Sequence, residues 1–182
     1  MPTRFAILGA TGHIGKSLAA EIAKNGQYQL LLYARDLSAV ENHLANLKDI
    51  SAKIDVLHID LFGESYCDVV INAVGAGDPG RLSALGRGIF RLTEEFDNRV
   101  LDYLYESPKA LYLNLSSGAV YGTGFAAPAE ITTKLSLKIN DIPESQFYGI
   151  AKLQAEAKHR AHKGFNIVDL RVFSYFSQFI DL

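Results

Sequence analysis

The chain has 182 residues, of which 48% are hydrophobic and 21% are charged, as in an ordinary soluble domain with a substantial core. Its net charge of -2 and isoelectric point near 6.2 give no electrostatic reason to expect nucleic acid or an anionic membrane as a partner. Cys67 is the only cysteine, which excludes an intrachain disulfide and a cysteine-rich metal site.

The histidines and the N-terminus narrow the class of protein further. The five histidines form no recognisable ligand cluster, so we expect no metal. His159 and His162 lie among basic residues, which favours a solvated, basic helix end over a metal site. The opening run MPTRFAILGATG is interrupted by Gly9 and is too short for a signal sequence or a membrane span. We therefore expect a cytoplasmic protein.

Along the chain, short apolar runs alternate with helical patterns. This alternation is typical of a parallel sheet covered by helices on both faces. Strands are predicted over residues 4–8, 28–34, 53–59, 68–74, 110–116 and 166–173. Helices are predicted after Gly12 as far as Gly26, from Ser38, where Ser38 and Glu41 have capping-box spacing, and over 89–106 and 145–163.

Three segments do not fit either pattern. A glycine-rich loop is predicted over residues 75–88, and 122–144 is predicted to be an exposed connection. Residues 174–182 are rich in large apolar side chains and need a surface to cover them. That segment either folds back, pairs with another chain, or leads into further sequence, and we favour the last alternative.

The sequence GATGHIG lies between the first predicted strand and the first predicted helix. The first of its three glycines allows a tight turn, the second close approach of the backbone to a pyrophosphate, and the third close packing of helix on strand. The helix N-terminus then offers free N–H groups to the phosphates. This context favours dinucleotide binding over a merely tight turn, in a three-layer α/β Rossmann fold with a doubly wound, mostly parallel sheet. The candidate cofactor-binding residues here are Gly9, Thr11, Gly12, His13, Ile14 and Gly15.

The end of the second predicted strand bears on which dinucleotide is bound. An acidic residue there would hydrogen-bond the adenosine ribose of NAD. The sequence instead places Arg35 after Ala34, and a guanidinium suits the 2′-phosphate of NADP. Asp36 follows and keeps NAD as an alternative, although it could also be only the turn residue before the next helix. The prediction is NADP.

Further candidates follow the third and fourth strands. Asp60 and Leu61 close the third strand, where a nucleotide base could lie, although Asp60 could equally cap the next turn. Ala73 and Val74 belong to NAVGAG, residues 72–77, whose small side chains suit a loop passing under a cofactor.

The fifth strand and the last predicted helix supply the groups for proton chemistry. Ser116 and Ser117 end the strand at the carboxyl edge, where ligands bind in open α/β sheets. Tyr148 and Lys152 lie four residues apart in a helical segment. A nearby ammonium favours the phenolate form, and a serine hydroxyl can hold a substrate oxygen while the phenol moves a proton.

With these motifs in this order, the chain resembles the extended short-chain dehydrogenase/reductases, the NAD(P)-dependent sugar epimerase/dehydratase group. The resemblance covers essentially all 182 residues. It rests on GxxGxxG at residues 9–15, the acid Asp60, SSGAVYG at 116–122, and YxxxK at 148–152. It implies that Ser117 is the catalytic serine and Tyr148 the acid/base. It also implies that Lys152 binds the nicotinamide ribose and lowers the tyrosine pKa, and that Asp60 contacts the adenine.

Three departures from the family pattern shape what we expect of the activity. Gly118 and Ala119 stand where sugar 4,6-dehydratases carry an Asp-Glu pair, which disfavours dehydration. The asparagine of a family "NV" step is replaced by Arg99 before Val100, with Asn98 one position early, so no role is assigned there. Family members also continue into a substrate lobe. We therefore expect residues 1–182 to form the NAD(P)-binding domain, with that lobe largely absent.

The resemblance implies an oxidoreductase or epimerase acting on a nucleotide-activated sugar, by 4-keto reduction or through a transient ketone. The alternative is a non-catalytic NADP-binding sensor or interaction module of the same fold. The helices at 89–106 and around Tyr148 resemble the pair that forms a dimer interface in this family, so the resemblance also implies a homodimer.

Overall fold

A six-stranded parallel sheet forms the centre of the protein. The structure is a computed structural model, which describes residues 2–76, 79–122 and 127–180. Its strand order is β3-β2-β1-β4-β5-β6, and each neighbouring pair is parallel. The strands are β1 (Thr3–Leu8), β2 (Tyr28–Ala34), β3 (Lys53–His58), β4 (Val69–Asn72), β5 (Leu111–Ser117) and β6 (Asn166–Val172). This order defines a Rossmann fold and confirms the predicted fold class.

Five helices flank the sheet in the described part of the chain. They are α1 (His13–Ile22), α2 (Leu37–Ala45), α3 (Pro79–Leu85), α4 (Gly88–Glu106) and α5 (Phe147–Ala161). Helices α1 and α2 pack on one face of the sheet, and α4 packs on the other face. Helix α5 packs beside α4. The connection from β3 to β4 contains only a short 3-10 turn, Ile59–Leu61.

Successive side chains of the central strands point to opposite faces of the sheet, and this creates the two halves of the core. Ala6 and Leu8 of β1 face α4, whereas Ile7 between them faces α1 and α2. In β2 the five residues from Leu30 to Ala34 are all buried, since helices cover both faces of this strand. The continuous apolar runs seen in the sequence are therefore strands buried on both sides.

The structure differs from the prediction in the loop predicted over residues 75–88, because α3 lies within it. Gly77 and Asp78 fall outside the described residues. Helix α3 begins at Pro79, and proline suits the first turn of a helix because it has no N–H to leave unpaired. Of the glycines that indicated a loop, Gly80 lies in the first turn of this short helix and Gly86 directly follows it.

A second difference is the N-cap of α2. The side chain of Asp36 accepts a hydrogen bond from the backbone N–H of Ala39 at 3.0 Å, so the helix begins at Leu37. The capping box predicted from Ser38 and Glu41 was wrong. Aspartate and serine are both good N-cap residues, and Asp36 comes first at the end of the strand.

The segment after β6 folds back over α1 and α2. Ser177 Oγ lies 2.7 Å from His13 Nε2 and 2.8 Å from Ser17 Oγ. Phe179 packs edge-on against the ring of His43 at a centroid distance of 4.8 Å. Of the alternatives weighed for residues 174–182, folding back is the one seen for 174–180, and residues 181–182 fall outside the described part. No helix within the described ranges is long and apolar enough to cross a membrane.

Candidate active site

The carboxyl edge of the sheet gathers the predicted site residues. The loop after β1 carries the glycine motif, the loop after β4 carries Ala73 and Val74, and β5 ends at Ser117. Because β1, β4 and β5 are parallel neighbours, these three loops meet at one edge. Helix α5 adds Tyr148 and Lys152 from the α4 side.

The glycine motif forms a turn that larger residues could not adopt. Gly9 has a φ of 81°, and a Cβ there would lie 2.9 Å from backbone atoms of Ala73 and Val74. A Cβ on Gly15 would lie 2.3 Å from the carbonyl oxygen of Gly9. These contacts place the start of α1 directly against β1 and the loop after β4.

The N-terminus of α1 is suited to an anion. Gly12 occupies the N-cap position, no side chain caps the helix, and the first turn contains no acidic residue. Backbone N–H groups at such a helix end, together with the positive end of the helix dipole, attract phosphate. The glycine turn and the uncapped helix therefore fit the pyrophosphate of a dinucleotide, with Thr11, His13 and Ile14 half-buried beside it.

At the end of β2, the two charged neighbours have different environments. Asp36 is engaged in capping α2 through its contact with Ala39. Arg35 is exposed at the carboxyl edge, and no hydrogen bond or ion pair joins it to any described residue. The guanidinium is thus available to a ligand, whereas one oxygen of the carboxylate already accepts a backbone hydrogen bond.

Asp60 lies in the 3-10 turn after β3 rather than at the end of the strand. Its carboxylate is two-thirds exposed, 3.5 Å from Arg99 Nη1 and 3.3 Å from His58 Nδ1. Neighbouring Leu61 is exposed. Asp60 does not cap the turn, because His58 accepts the hydrogen bond from the N–H of Asp60. The carboxylate and Leu61 remain accessible at the edge where a base could lie.

The loop after β4 is anchored by two hydrogen bonds. The N–H of Ala73 donates to the carbonyl of Leu8 at 2.9 Å, and the N–H of Val74 donates to Oδ1 of buried Asn72 at 3.1 Å. The loop therefore has a fixed position next to the glycine turn.

Ser117, Tyr148 and Lys152 are brought together as predicted. The Ser117 hydroxyl lies close enough to Tyr148 to lower the pKa of the phenol, and it accepts a hydrogen bond from the N–H of Ala119 at 3.1 Å. Lys152 is 4% exposed, and its Nζ donates to the carbonyl of Leu115 at 2.9 Å. The same Nζ lies 6.0 Å from the centre of the Tyr148 ring. A phenol, a hydroxyl and an ammonium thus share one small region.

Burial sets the protonation of the phenol and the ammonium. Burial raises the pKa of Tyr148, and the nearby hydroxyl of Ser117 offsets part of that rise. Burial lowers the pKa of Lys152 to about 8, against the opposing effect of the Asp97 and Asp169 carboxylates. At neutral pH the phenol is therefore protonated, and the ammonium is close to its titration range.

Gly149 explains how α5 reaches the end of β5. A Cβ at this position would lie 2.3 Å from the carbonyl oxygen of Ala119, in the 3-10 turn that follows Ser117. Glycine after the tyrosine allows the helix to pack directly on that turn, which brings Tyr148 next to the end of β5.

Sequence reasoning missed a set of buried charged residues behind the site. His159 is 5% exposed, so its assignment to a solvated helix end was wrong. Its Nε2 lies 2.7 Å from Asp97, and its Nδ1 lies 2.7 Å from Asp169. Glu156 is fully buried and paired with Arg171 at 2.6 Å. The available signal was spacing, because Lys152, Glu156 and His159 recur at four and three residues along one helix face.

Comparison with known proteins identifies the family to which this arrangement corresponds. The sequence matches the NAD dependent epimerase/dehydratase family over residues 5–181. Among curated proteins, none matches it.

Solved structures share the fold at low sequence identity. A UDP-glucose 4-epimerase from Bifidobacterium longum, in complex with NAD+ and UDP, is 18% identical with a TM-score of 0.70, covering 93% of this chain and 52% of that one. A UDP-glucuronic acid 4-epimerase from Bacillus cereus, in complex with NAD, is 20% identical with a TM-score of 0.64, covering 94% and 57%.

The fold is also shared by a protein of a different kind. A thiolation-reductase di-domain from an archaeal non-ribosomal peptide synthetase is 17% identical with a TM-score of 0.64, covering 94% of this chain and 52% of that one. The chain thus spans about half the length of the solved structures it matches.

Proposed function

The chain belongs to the NAD dependent epimerase/dehydratase family, and on that premise we propose that it is the cofactor-binding part of an oxidoreductase or epimerase acting on a nucleotide-activated sugar. The observation that carries the proposal is the meeting of Ser117, Tyr148 and Lys152 beside the glycine turn. A protein that only bound a dinucleotide would need the turn but not a phenol, a serine hydroxyl and an ammonium close together.

The cofactor we propose is NADP. Arg35 offers an unengaged guanidinium at the end of β2, and such a group pairs well with a 2′-phosphate. Asp36, the residue that would favour NAD, has one oxygen engaged by the N–H of Ala39. NAD is the alternative, and it is the dinucleotide named in the complexes of the two epimerases above. Asp60, Leu61, Ala73 and Val74 are proposed to line the adenosine side.

The proposed chemistry divides the transfer of hydrogen into a hydride and a proton. A bound nicotinamide dinucleotide supplies the acceptor or donor of the hydride. The protonated phenol of Tyr148 donates its proton when a ketone is reduced, and only its phenolate form takes the proton from a sugar hydroxyl when that carbon is oxidised. Ser117 hydrogen-bonds the same oxygen and holds it in line with the phenol.

Lys152 has two tasks in this scheme. Its ammonium favours the phenolate form of Tyr148 because the two side chains are close. We also propose that it binds the nicotinamide ribose, because Nζ lies next to the loop after β4, where a Cβ on Gly75 would be 3.9 Å away. With Gly118 and Ala119 in place of two carboxylates, no acid and base are available at that point for dehydration.

Substrate selection and assembly belong to the same proposal. We assign the choice of sugar to residues outside the cofactor-binding part formed by residues 1–182. For assembly we propose a homodimer through α4 and α5, which pack side by side.

The test is a pair of conservative tyrosine variants in the full protein. Tyr148→Phe removes the hydroxyl at the site, and Tyr105→Phe removes one from a ring that is 62% exposed on α4. NADPH binding is followed by cofactor fluorescence, which is convenient because the chain contains no tryptophan. Turnover is followed with UDP-sugars and 4-keto-sugar nucleotides, by nicotinamide absorbance for reduction and by product analysis for epimerisation.

We expect Tyr148→Phe to lose turnover by about 100-fold or more while keeping the NADPH Kd within about twofold. Tyr105→Phe should change neither. A Tyr148→Phe protein with full turnover would refute the assigned acid/base role. A wild-type protein that binds NADPH but turns over none of these sugars would support the non-catalytic alternative instead.

A further inference from the structure

Three charged side chains form a buried cluster between α4, α5 and β6. We call Asp97, His159 and Asp169 the buried charge cluster. His159 Nε2 lies 2.7 Å from Asp97 Oδ1, and His159 Nδ1 lies 2.7 Å from Asp169 Oδ1, so both ring nitrogens contact a carboxylate. The side chains of His159 and Asp97 are 2% and 1% exposed, and that of Asp169 is 15% exposed. A ring with a carboxylate at each nitrogen is best satisfied as an imidazolium that donates twice.

Polar groups of the sheet hold the cluster on both sides. The hydroxyl of Tyr112 donates to Asp97 at 3.0 Å, and the amide of Asn114 donates to Asp169 at 2.8 Å. Tyr112 in turn accepts from Asn72, whose side-chain oxygen receives the N–H of Val74. A continuous line of hydrogen bonds therefore joins the cluster to the loop proposed to lie under the cofactor.

The cluster and Lys152 lie on the same buried face of α5. His159 follows Lys152 by seven residues, about two helical turns, and both are at most 5% exposed. Lys152 is held by the carbonyl of Leu115, and Leu115 is the neighbour of Asn114 in β5. The carboxylates of Asp97 and Asp169 both favour the charged form of Lys152.

The charges around Lys152 come from each element packed against it. When His159 is protonated, the two carboxylates exceed the imidazolium by one negative charge. Lys158 offsets part of this excess, since its Nζ lies 2.6 Å from Asp97 Oδ2, but its side chain is 26% exposed and better screened. The groups concerned are Asp97 from α4, Tyr112 from β5, Asp169 and Arg171 from β6, and Tyr148, Glu156, Lys158 and His159 from α5.

We propose that the buried charge cluster is a positioning device for Lys152. Asp97 and Asp169, which protonated His159 bridges, keep the buried ammonium charged. They also fix α5 in its place beside the loop after β4. These three are positioning residues, because they act through Lys152. The inference rests on the function proposed above, since it assigns a purpose to the ammonium.

The protonation of the cluster agrees with this role. Hydrogen bonds and charges from both aspartates overcome burial and raise the pKa of His159 to about 9. Contacts with His159 and Lys158 overcome burial and lower the pKa of Asp97. At neutral pH both carboxylates are therefore charged, and because they exceed the imidazolium by one negative charge, they favour a cation at Lys152.

The experiment replaces one carboxylate by an amide of the same shape. In Asp169→Asn the side-chain oxygen can still accept from His159 and Asn114, so the geometry is kept and the charge is lost. Asp55→Asn is the matched control, because Asp55 also accepts an amide hydrogen bond at 2.8 Å, from Gln29, but lies at the opposite edge of the sheet in β3. Lys152 is titrated by NMR of lysine labelled at Cε, with its resonance assigned by Lys152→Met.

We expect Asp169→Asn to move the Lys152 titration midpoint to lower pH, and Asp55→Asn to leave it in place. At about pH 8 the Kd for NADP should rise about threefold in Asp169→Asn, and at about pH 6, where Lys152 is charged in both proteins, it should not change. A folded Asp169→Asn protein with an unmoved Lys152 midpoint would overturn the proposal.

Two further measurements keep the test decisive. If Asp169→Asn fails to fold, the imidazole nitrogen shifts of His159 in the wild-type protein still decide, because a neutral ring at pH 7 is incompatible with the cluster described. Both titrations are made without cofactor, so a protein that binds no NADP would refute the function proposed above while leaving the electrostatic result readable.

Discussion

At the scale of single residues, Arg35 and Asp36 show how two adjacent charges can have different uses. From the sequence alone, Asp36 is either a ribose ligand or a turn residue, and the structure places its side chain on the N–H of Ala39. Arg35 has no such engagement with a described residue. The distinction depends on where α2 begins, and helix boundaries are the least certain feature of a sequence pattern.

We expect Arg35→Ala to raise the Kd for NADP by about 10-fold to 100-fold, because one or two charge-assisted hydrogen bonds to the 2′-phosphate would be lost. The Kd for NAD should stay within about twofold, since NAD lacks that phosphate. Calorimetry with both dinucleotides measures the difference.

Asp36→Asn provides the complementary variant. Asparagine caps helices as well as aspartate does, so α2 should remain intact. If Asp36 binds an adenosine ribose, this variant will weaken NAD, and an unchanged NADP affinity in Arg35→Ala would then reverse the assignment of cofactor.

His159 shows the limit of reading single residues from their neighbours in sequence. Its flanking lysine and arginine indicated a solvated helix end, but its partners Asp97 and Asp169 are 62 and 10 positions away. Periodicity placed His159 on the face of α5 that carries Lys152. Nothing local to α5 revealed that a carboxylate from α4 would meet it there.

At the scale of elements, strands were predicted better than their connections. The predicted bounds of β2 agree with the structure at both ends, because its run of apolar residues is buried on both faces and bounded by polar residues. The third to sixth strands were placed within two residues of their observed ends. Helix α3 was missed because proline and glycine at its ends resemble loop signals, and its first turn was therefore taken for part of a loop.

The predicted site residues lie close together because their motifs attach to these strands. The glycine turn follows β1 and the serine ends β5, so parallel neighbours bring them to the same edge without further information. The contacts that hold α5 in place were not predictable in this way. They join its side chains to side chains of α4 and β6, and these elements are separate in the sequence.

Glu156 is the strongest link between α5 and the strands beneath it. Its carboxylate accepts from Ser116 at 2.6 Å and from Arg171 at 2.6 and 2.9 Å. We expect Glu156→Gln to lower the free energy of unfolding by about 3–5 kcal/mol, because Arg171 would lose the carboxylate that neutralises it in a largely enclosed position. Urea unfolding at pH 7 measures the loss.

Glu21→Gln is the control, since Glu21 pairs with Lys24 on the surface and is 74% exposed. We expect it to change the free energy of unfolding by less than about 0.5 kcal/mol. A loss below about 1 kcal/mol in Glu156→Gln would mean that the pair aligns α5 without stabilising the fold. Because its partners lower the pKa of Glu156 to about 2 against the effect of burial, this stability should be present above about pH 4.5 and disappear as the pH falls towards 2.

At the scale of the whole molecule, a hydrogen-bond line and a charge cluster connect the loop after β4, both helices of one face, and three strands. Stability and the proposed chemistry therefore depend on the same buried ionisable groups. Each such group makes the free energy of unfolding depend on pH. The direction of that dependence follows from whether folding raises or lowers the pKa of the group.

His159 controls this dependence just above neutrality. Its pKa rises from the ordinary 6.5 to about 9 on folding, so its stabilisation is complete below about pH 6.5 and is lost as the pH rises through 9. Lys152 acts in the opposite direction, because its pKa falls from 10.5 to about 8, but its effect begins only near pH 8. Between pH 6.5 and 8, the effect of His159 on the free energy of unfolding is therefore not opposed by Lys152.

We expect the free energy of unfolding of the wild-type protein to fall by about 1 kcal/mol between about pH 7 and 8, close to the limit for one proton bound by the folded state alone. Urea unfolding at closely spaced pH values gives the slope. His159→Gln should abolish it, whereas His162→Gln, which alters a half-buried ring stacked on Phe165, should retain it. If a folded His159→Gln protein shows the same change of unfolding free energy with pH, the proton belongs to another group. His159 is then not an imidazolium at the centre of the cluster.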